Sequence, residues 1–249
     1  MITAASIGRG RSFLVAAPLI LVAAAAWIGV ISMAREMGSM QGTMGLGIGS
    51  YTIMWALMMA AMMLPSIVPL AALYARTFQA NHGLRLAALT VGYMIIWTLP
   101  ALPTYALAWG VERAAATYPG VATALAVVTF AACGVYQLAS LKDRCLTHCR
   151  SPLGDAFKYA SYDGRTRDLR VGISHGLYCL GCCWALMALM LCFGLMNVTA
   201  MIVLTAVCTI EKVWVWGRQF GRLVGVAALV IAVVLLVRPE LAPWLGGGP

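Results

Sequence analysis

Charged residues are scarce in this sequence, and acidic ones are the scarcest. Only 10% of the residues are charged, and 17 Lys and Arg stand against 8 Asp and Glu. A soluble domain usually carries about 25% charged residues, so an ordinary soluble domain is excluded. The net charge of +9 does not indicate nucleic acid binding, because no basic groove interleaved with aromatic residues is visible.

Long polar segments are also rare, whereas apolar runs of about 18 residues recur along the chain. Such runs can cross a hydrocarbon core of about 30 Å, and backbone in lipid must form helices to satisfy its own amides. The sequence therefore predicts an all-α, polytopic transmembrane helix bundle, with residues 1–249 as one integral membrane domain in contact with the lipid bilayer. About seven spans are expected, with six as the alternative, near 13–33, 51–73, 86–110, 120–141, 172–194, 197–214 and 221–238.

The basic residues predict how the chain is oriented. With the N-terminus inside, 14 of the Lys and Arg residues fall in cytoplasmic segments and only Arg35, Arg113 and Arg238 fall outside. Cytoplasmic loops carry the excess of Lys and Arg in membrane proteins. We therefore expect a multi-pass protein of the cell inner membrane with a cytoplasmic N-terminus and a retained first helix. The one substantial hydrophilic loop, 142–171, is then cytoplasmic.

Catalytic serine motifs, phosphate-binding loops and nucleotide fingerprints are absent, and the notable side chains are sulfur ligands. Cys145, His148 and Cys149 form one group below the predicted fourth span. If the helix continues there, the two cysteines lie one turn apart on one face. Thiolate and imidazole together suit Cu(I) or Zn(II). The alternative is two small loop cysteines without a metal.

A second group lies at the start of the predicted fifth span: His175, Cys179, Cys182 and Cys183. The first three share one helical face. Free cysteine also packs as a small hydrophobe, but both groups fall at the cytoplasmic end. We therefore predict one metal site to which Cys145, Cys149, Cys179 and Cys182 contribute, with His148, His175 or Cys183 as further ligands.

Nearby cations are expected to make these thiols better ligands. Lys142, Arg144 and Arg150 flank the first group, and positive charge lowers a thiol pKa. Because the cytoplasm is reducing, metal binding or transient redox chemistry is expected in place of permanent disulfides.

Methionines and one carboxylate are secondary candidates. Met58 and Met62 lie on one face of the second span, and Met37, Met40 and Met44 follow helical spacing on the external side. Thioethers favour Cu(I), although Met also fills apolar surfaces. Glu211, followed by Lys212, lies at the cytoplasmic end of the sixth span, and an ionisable residue at membrane depth is a functional candidate. The structural alternative is that Glu211 lies near the membrane interface and pairs with another residue of the bundle.

Four sequence pieces, in order across about residues 50–215, resemble a family of predicted metal-binding integral membrane proteins. They are Trp55-x2-Met58-x2-Ala61-Met62-Met63-x-Pro65, Lys142-x2-Cys145-Leu-x2-Cys149-Arg150-x-Pro152, Gly176-x2-Cys179-x2-Cys182-Cys183-Trp184-x2-Met187, and Gly194-x-Met196-Asn197 with Glu211-Lys212. The resemblance implies a metal-binding membrane protein and leaves the metal open.

Three functions follow from these observations. The favoured one is a soft-metal membrane protein, with copper as the expected metal and zinc as the alternative, that acts in metal transport, delivery or metalloprotein assembly. The second is a membrane subunit of a larger metalloenzyme complex, which adds other membrane or metalloenzyme subunits as partners. The third is a thiol- or quinone-linked membrane oxidoreductase, so enzyme activity is left undecided.

Overall fold

A computed structural model describes residues 4–37, 42–75, 82–118, 120–151, 159 and 161–241. Within these ranges the chain is all-α, as the apolar composition predicts. The helices are α1 (Ala4–Met37), α2 (Ile48–Ala75), α3 (His82–Thr98), α4 (Ala101–Thr117), α5 (Val121–Leu138), α6 (Ser140–Arg150), α7 (Arg167–Ala188), α8 (Met190–Phe193), α9 (Val198–Val213) and α10 (Gly217–Val237).

Six helices in the described ranges are long and apolar enough to cross a membrane. They cover Ala16–Glu36, Ile48–Tyr74, Gly83–Thr117, Val121–Leu138, Arg167–Phe193 and Gly217–Val237. The predicted span near 197–214 corresponds to α9, which has only 16 residues. At 1.5 Å per residue it covers about 24 Å, less than a hydrocarbon core of about 30 Å. Six helices in the described part of the chain therefore reach full span length, and α9 is a seventh, shorter helix that returns the chain toward the level of Cys179.

The predicted loop at 142–171 is largely helical in its described part. Helix α5 ends at Leu138, Ala139 takes an extended conformation (φ −75°, ψ 142°), and α6 then runs to Arg150. Helix α7 begins at Arg167, five residues before the predicted start of that span. The extended residue allows α6 to turn away from the line of α5 and to pack against α7. Residues 152–158 and 160 lie outside the described ranges.

Close backbone approaches fix how α7 packs on α3. A Cβ atom at Gly172 would collide with the carbonyl oxygen of Leu89, and one at Gly92 would collide with that of Leu169. Glycine at both positions therefore lets the two helix backbones touch. Helices α3 and α7 both begin at the end of the bundle where α2 ends, because Asp168 accepts a hydrogen bond from Tyr74 at 2.9 Å and pairs with Arg85 at 3.1 Å.

Two further helices complete the surroundings of the cysteines. Helix α9 runs antiparallel to α7, since Lys212 near its end contacts Cys179 in the middle of α7. Helix α10 packs along α5, where a Cβ at Gly225 would lie 2.6 Å from that of Gln137. Helices α2, α3, α6 and α9 thereby converge on the cysteine-bearing part of α7.

Candidate metal site

Helix α6 carries Cys149 to the side of α7. The helix begins after Ala139 with Asp143 in its first turn and ends with His148 and Arg150 in its last. This placement of charges suits the helix dipole. Cys145 and Cys149 lie one turn apart, on the α6 surface that packs against α7. Local sequence thus builds α6, and its packing decides which of its two thiols lies beside the cysteines of α7.

Three thiols from these two helices form a group that we call the three-cysteine cluster: Cys149, Cys179 and Cys182. Their sulfur atoms all lie within 4.8 Å of one another. The Cys149 and Cys182 sulfurs are 3.6 Å apart. Cys179 and Cys182 are buried, whereas Cys149 is partly exposed. Cys149 is therefore the least buried residue of the three-cysteine cluster.

The spacing of the cluster fits a thiolate-bound metal. A metal–sulfur bond of about 2.3 Å places two sulfur ligands at most about 4.6 Å apart. The observed separations need only small adjustments to meet this limit. Three thiolates without carboxylate ligands favour soft ions such as Cu(I). The residues present can therefore hold a soft metal with two or three sulfur ligands.

Polar groups surround Cys179 on the side away from α6. The Tyr93 hydroxyl lies 3.0 Å from the Cys179 sulfur, and the Lys212 ammonium donates to that sulfur at 3.1 Å. Lys212 also donates to the Ser66 hydroxyl at 3.2 Å. No sequence pattern connects Tyr93, Ser66 or Lys212 with the cysteines. The proximity of an ammonium to a ligand thiol is decided by the packing of α9.

The other predicted ligands lie beside the three-cysteine cluster. The Cys183 sulfur is 3.3 Å from that of Cys182, and Cys145 packs against Gly181. His148 stacks on Tyr178 with ring centroids 4.0 Å apart. Buried His175 stacks near Tyr93 at 6.2 Å. The structure thus brings Cys149, Cys179 and Cys182 together, with the other four close by.

Glu211 is occupied by an ion pair within the bundle. Its carboxylate accepts hydrogen bonds from Lys142 at 2.6 Å and from Gln137 at 3.0 Å. Lys142 and Glu211 are 2% and 1% exposed. Each side chain neutralises the charge of the other, and burying either charge without its partner would cost folding free energy. This pair links α6 to α9 and gives Glu211 a structural role beside the three-cysteine cluster.

The expected lowering of thiol pKa values on α6 is wrong for both cysteines. Burial raises the pKa of the Cys145 thiol. The pKa of Cys149 is also raised, chiefly by its hydrogen bond with Cys179. The reason is that the neighbouring cations point elsewhere: Lys142 pairs with Glu211, and Arg150 donates to the backbone oxygens of Glu211 and Val215.

The methionine candidates divide into two sets. Met58 and Met62 are buried in the interior of the bundle on α2. Met44 is also buried and adopts a positive φ of 55° just before α2. Met37 ends α1; its side chain, and Met40 as a whole, lie outside what the structure describes.

The fold and the cluster together define an all-helical bundle whose buried thiols suit a soft metal ion. Residues 52–235 match the family model of PpoB2, described as a copper chaperone. The match covers most of the chain, so the protein belongs to the PpoB2 copper chaperone family. The family supports copper and gives no indication of zinc. No curated protein and no solved structure gives a significant match to this chain.

Proposed function

We propose that this protein is a membrane-embedded copper chaperone that holds Cu(I) at Cys149, Cys179 and Cys182 and delivers it for metalloprotein assembly. The observation that carries the proposal is the convergence of three thiols from two separate helices within 4.8 Å. Thiolates are the ligands that best retain Cu(I), and membership of the copper chaperone family agrees with this chemistry.

The partly exposed Cys149 gives the site a route for exchange. Cys179 and Cys182 are buried, so a partner protein cannot reach them directly. Cys149 lies at the end of an amphipathic helix and is more accessible. A partner thiol would first replace the Cys149 sulfur as a copper ligand. The copper would then leave the Cys179 and Cys182 sulfurs by stepwise ligand exchange.

Lys212 compensates the charge of the loaded site. Cu(I) bound by two thiolates carries one net negative charge, and a buried charge is costly without a partner. The Lys212 ammonium, 3.1 Å from the Cys179 sulfur, supplies that partner. It has no free electron pair while protonated, so it acts beside the metal and not as a ligand.

A direct test is anaerobic Cu(I) titration of the purified protein against a competing chelator. The double substitution Cys179→Ser and Cys182→Ser should abolish the tightest binding, because it removes both buried sulfurs. A matched control is Cys133→Ser with Cys192→Ser, since these two buried cysteines lie outside the three-cysteine cluster. Tight Cu(I) binding that survives the Cys179/Cys182 change would overturn the proposed site.

The membrane setting is part of the proposal. Six long apolar helices support insertion in the cell inner membrane, and the one-sided distribution of basic residues supports a cytoplasmic N-terminus. In that orientation the end of the bundle that holds α6 and the start of α7 faces the cytoplasm. The three-cysteine cluster then exchanges copper on the cytoplasmic side.

A thiol oxidoreductase is the second candidate, because the Cys149 and Cys182 sulfurs are only 3.6 Å apart. A modest movement would bring them to the disulfide bond length of about 2.05 Å. The two functions differ in their response to metal. A copper chaperone loses copper binding when Cys182 is replaced, whereas an oxidoreductase forms a Cys149–Cys182 disulfide during turnover, which mass spectrometry after alkylation detects. Stable co-purification with a metalloenzyme would instead identify a subunit.

A further inference from the structure

Ser66, Cys179 and Lys212 define one layer across α2, α7 and α9. Lys212 donates to both the Ser66 hydroxyl and the Cys179 sulfur, and the Ser66 oxygen lies 3.9 Å from the same sulfur. Helices α2 and α9 both run antiparallel to α7. The residues four positions earlier on α2 and α9 therefore lie at the same height as the residue four positions later on α7. This height is about 6 Å along each helix from the first layer.

The next layer in that direction contains three sulfur side chains: Met62, Cys183 and Cys208. Each lies four residues from its counterpart in the first layer and therefore on nearly the same helix face. The Cys183 and Cys208 thiols lie close enough to perturb one another, as the antiparallel register of α7 and α9 predicts. All three side chains are buried, at 1% to 2% exposure.

Two layers of soft ligands are connected through adjacent residues of α7. The Cys182 sulfur belongs to the three-cysteine cluster and lies 3.3 Å from the Cys183 sulfur. One further turn beyond Met62 and Cys183 stand Met58 and Met187, which are also buried. Sulfur side chains thus continue inward from the cluster.

We propose that Met62, Cys183 and Cys208 form a second Cu(I) site, one helical turn deeper than the three-cysteine cluster. The proposal rests on the proposed copper function and extends it from one site to two. Two thiols and a thioether are soft ligands that suit Cu(I) in two- or three-coordinate form. The second site gives the methionine stripe of α2 a role that packing alone does not require.

Copper passes between the two sites by ligand exchange through the Cys182–Cys183 step. The bond from copper to the Cys182 sulfur breaks as one to the Cys183 sulfur forms. The incoming thiol releases a proton and the departing thiolate takes one up. Copper stays Cu(I) throughout, so the step needs no oxidant or reductant.

The test is a Cu(I) stoichiometry measured on the full-length protein in detergent without oxygen, using Cu(I) itself as the probe. The wild type should bind about two equivalents, and Cys183→Ala with Cys208→Ala should bind about one equivalent fewer while keeping tight binding at the first site. Cys133→Ala with Cys192→Ala is the matched control and should keep both. Met62→Leu, which conserves side-chain volume, should weaken only the second equivalent, by at least about tenfold.

The outcomes separate this proposal from the copper function itself. A wild-type protein that binds a single equivalent at Cys149, Cys179 and Cys182 overturns the second site and leaves the chaperone intact. A Cys183/Cys208 variant that binds as much copper as the wild type also overturns the second site. A wild-type protein that binds no Cu(I) overturns the proposed function. If the double variant does not fold, the wild-type stoichiometry and the Met62→Leu affinity still decide.

Discussion

Lys212 has surroundings that differ from those of an ordinary membrane lysine. It turns inward to the Cys179 sulfur and the Ser66 hydroxyl, where its stem could have extended to the membrane surface. The ammonium therefore stabilises negative charge on the Cys179 sulfur. The same role explains why a lysine directly follows the buried carboxylate Glu211 without pairing with it: Glu211 is already bound by Lys142.

We predict that Lys212→Met lowers the affinity for Cu(I) by about 10- to 100-fold, the effect usual for a side chain that supports metal ligands. Lys212→Arg should restore much of it, because the positive charge returns. Competition titration with a Cu(I) chelator measures both variants, and thermal unfolding serves as the control for folding. Equal affinity in Lys212→Met and the wild type would show that the charge has no part in binding.

At the scale of elements, α6 is a short helix held in place by polar contacts. The extended residue Ala139 separates it from α5, and Lys142 pairs with Glu211 on α9. Arg150 donates to the Glu211 carbonyl oxygen, and Arg218 donates to the Thr147 hydroxyl. Because these contacts position Cys149, the geometry of the three-cysteine cluster depends on the packing of α6 against α9 and α10.

Removing one partner of the Lys142–Glu211 pair should destabilise the protein. An uncompensated buried charge costs about 3–5 kcal/mol, so Lys142→Met and Glu211→Gln should each lower the unfolding temperature. The double variant should recover part of the loss, since neither charge remains. A thermal double-mutant cycle in detergent measures this coupling. If the two single substitutions lower the unfolding temperature additively, the ion pair does not stabilise the position of α6.

At the scale of the whole molecule, the arrangement of helices determines on which side each loop lies. Helix α9 is short, yet it returns the chain from the turn near residue 197 to the level of Cys179. Helix α10 then starts beside Glu211, because a Cβ at Gly217 would collide with its carbonyl oxygen. It runs back along α5. The C-terminal end of α10 therefore lies at the end of the bundle opposite to α6.

A topology reporter fused within residues 155–165 should consequently report the cytoplasm, and one fused at the C-terminus should report the opposite side. The reasons are the concentration of basic residues near the first position and the antiparallel course of α10. Paired alkaline phosphatase and fluorescent protein fusions make the measurement, with a fusion after residue 118 as a second external point. A cytoplasmic C-terminus would contradict the orientation of α10.

The sequence by itself determined the fold class and the segments that carry soft ligands. Long apolar runs have only one arrangement that satisfies their backbone in lipid, so helices could be predicted without tertiary information. Helical periodicity likewise placed Cys179 and Cys182 on one face of a helix. The resemblance to metal-binding membrane proteins agrees with the copper chaperone family to which the chain belongs.

Only the tertiary structure decided which side chains meet. Periodicity fixes spacing within one helix but not the rotation and height of that helix against its neighbours, which depend on close contacts such as Gly172 with Leu89. Cys149 therefore joins Cys179 and Cys182, while Cys145 one turn earlier packs against Gly181. For the same reason Lys212 reaches a thiol 33 residues away in sequence, a contact that no local pattern encodes.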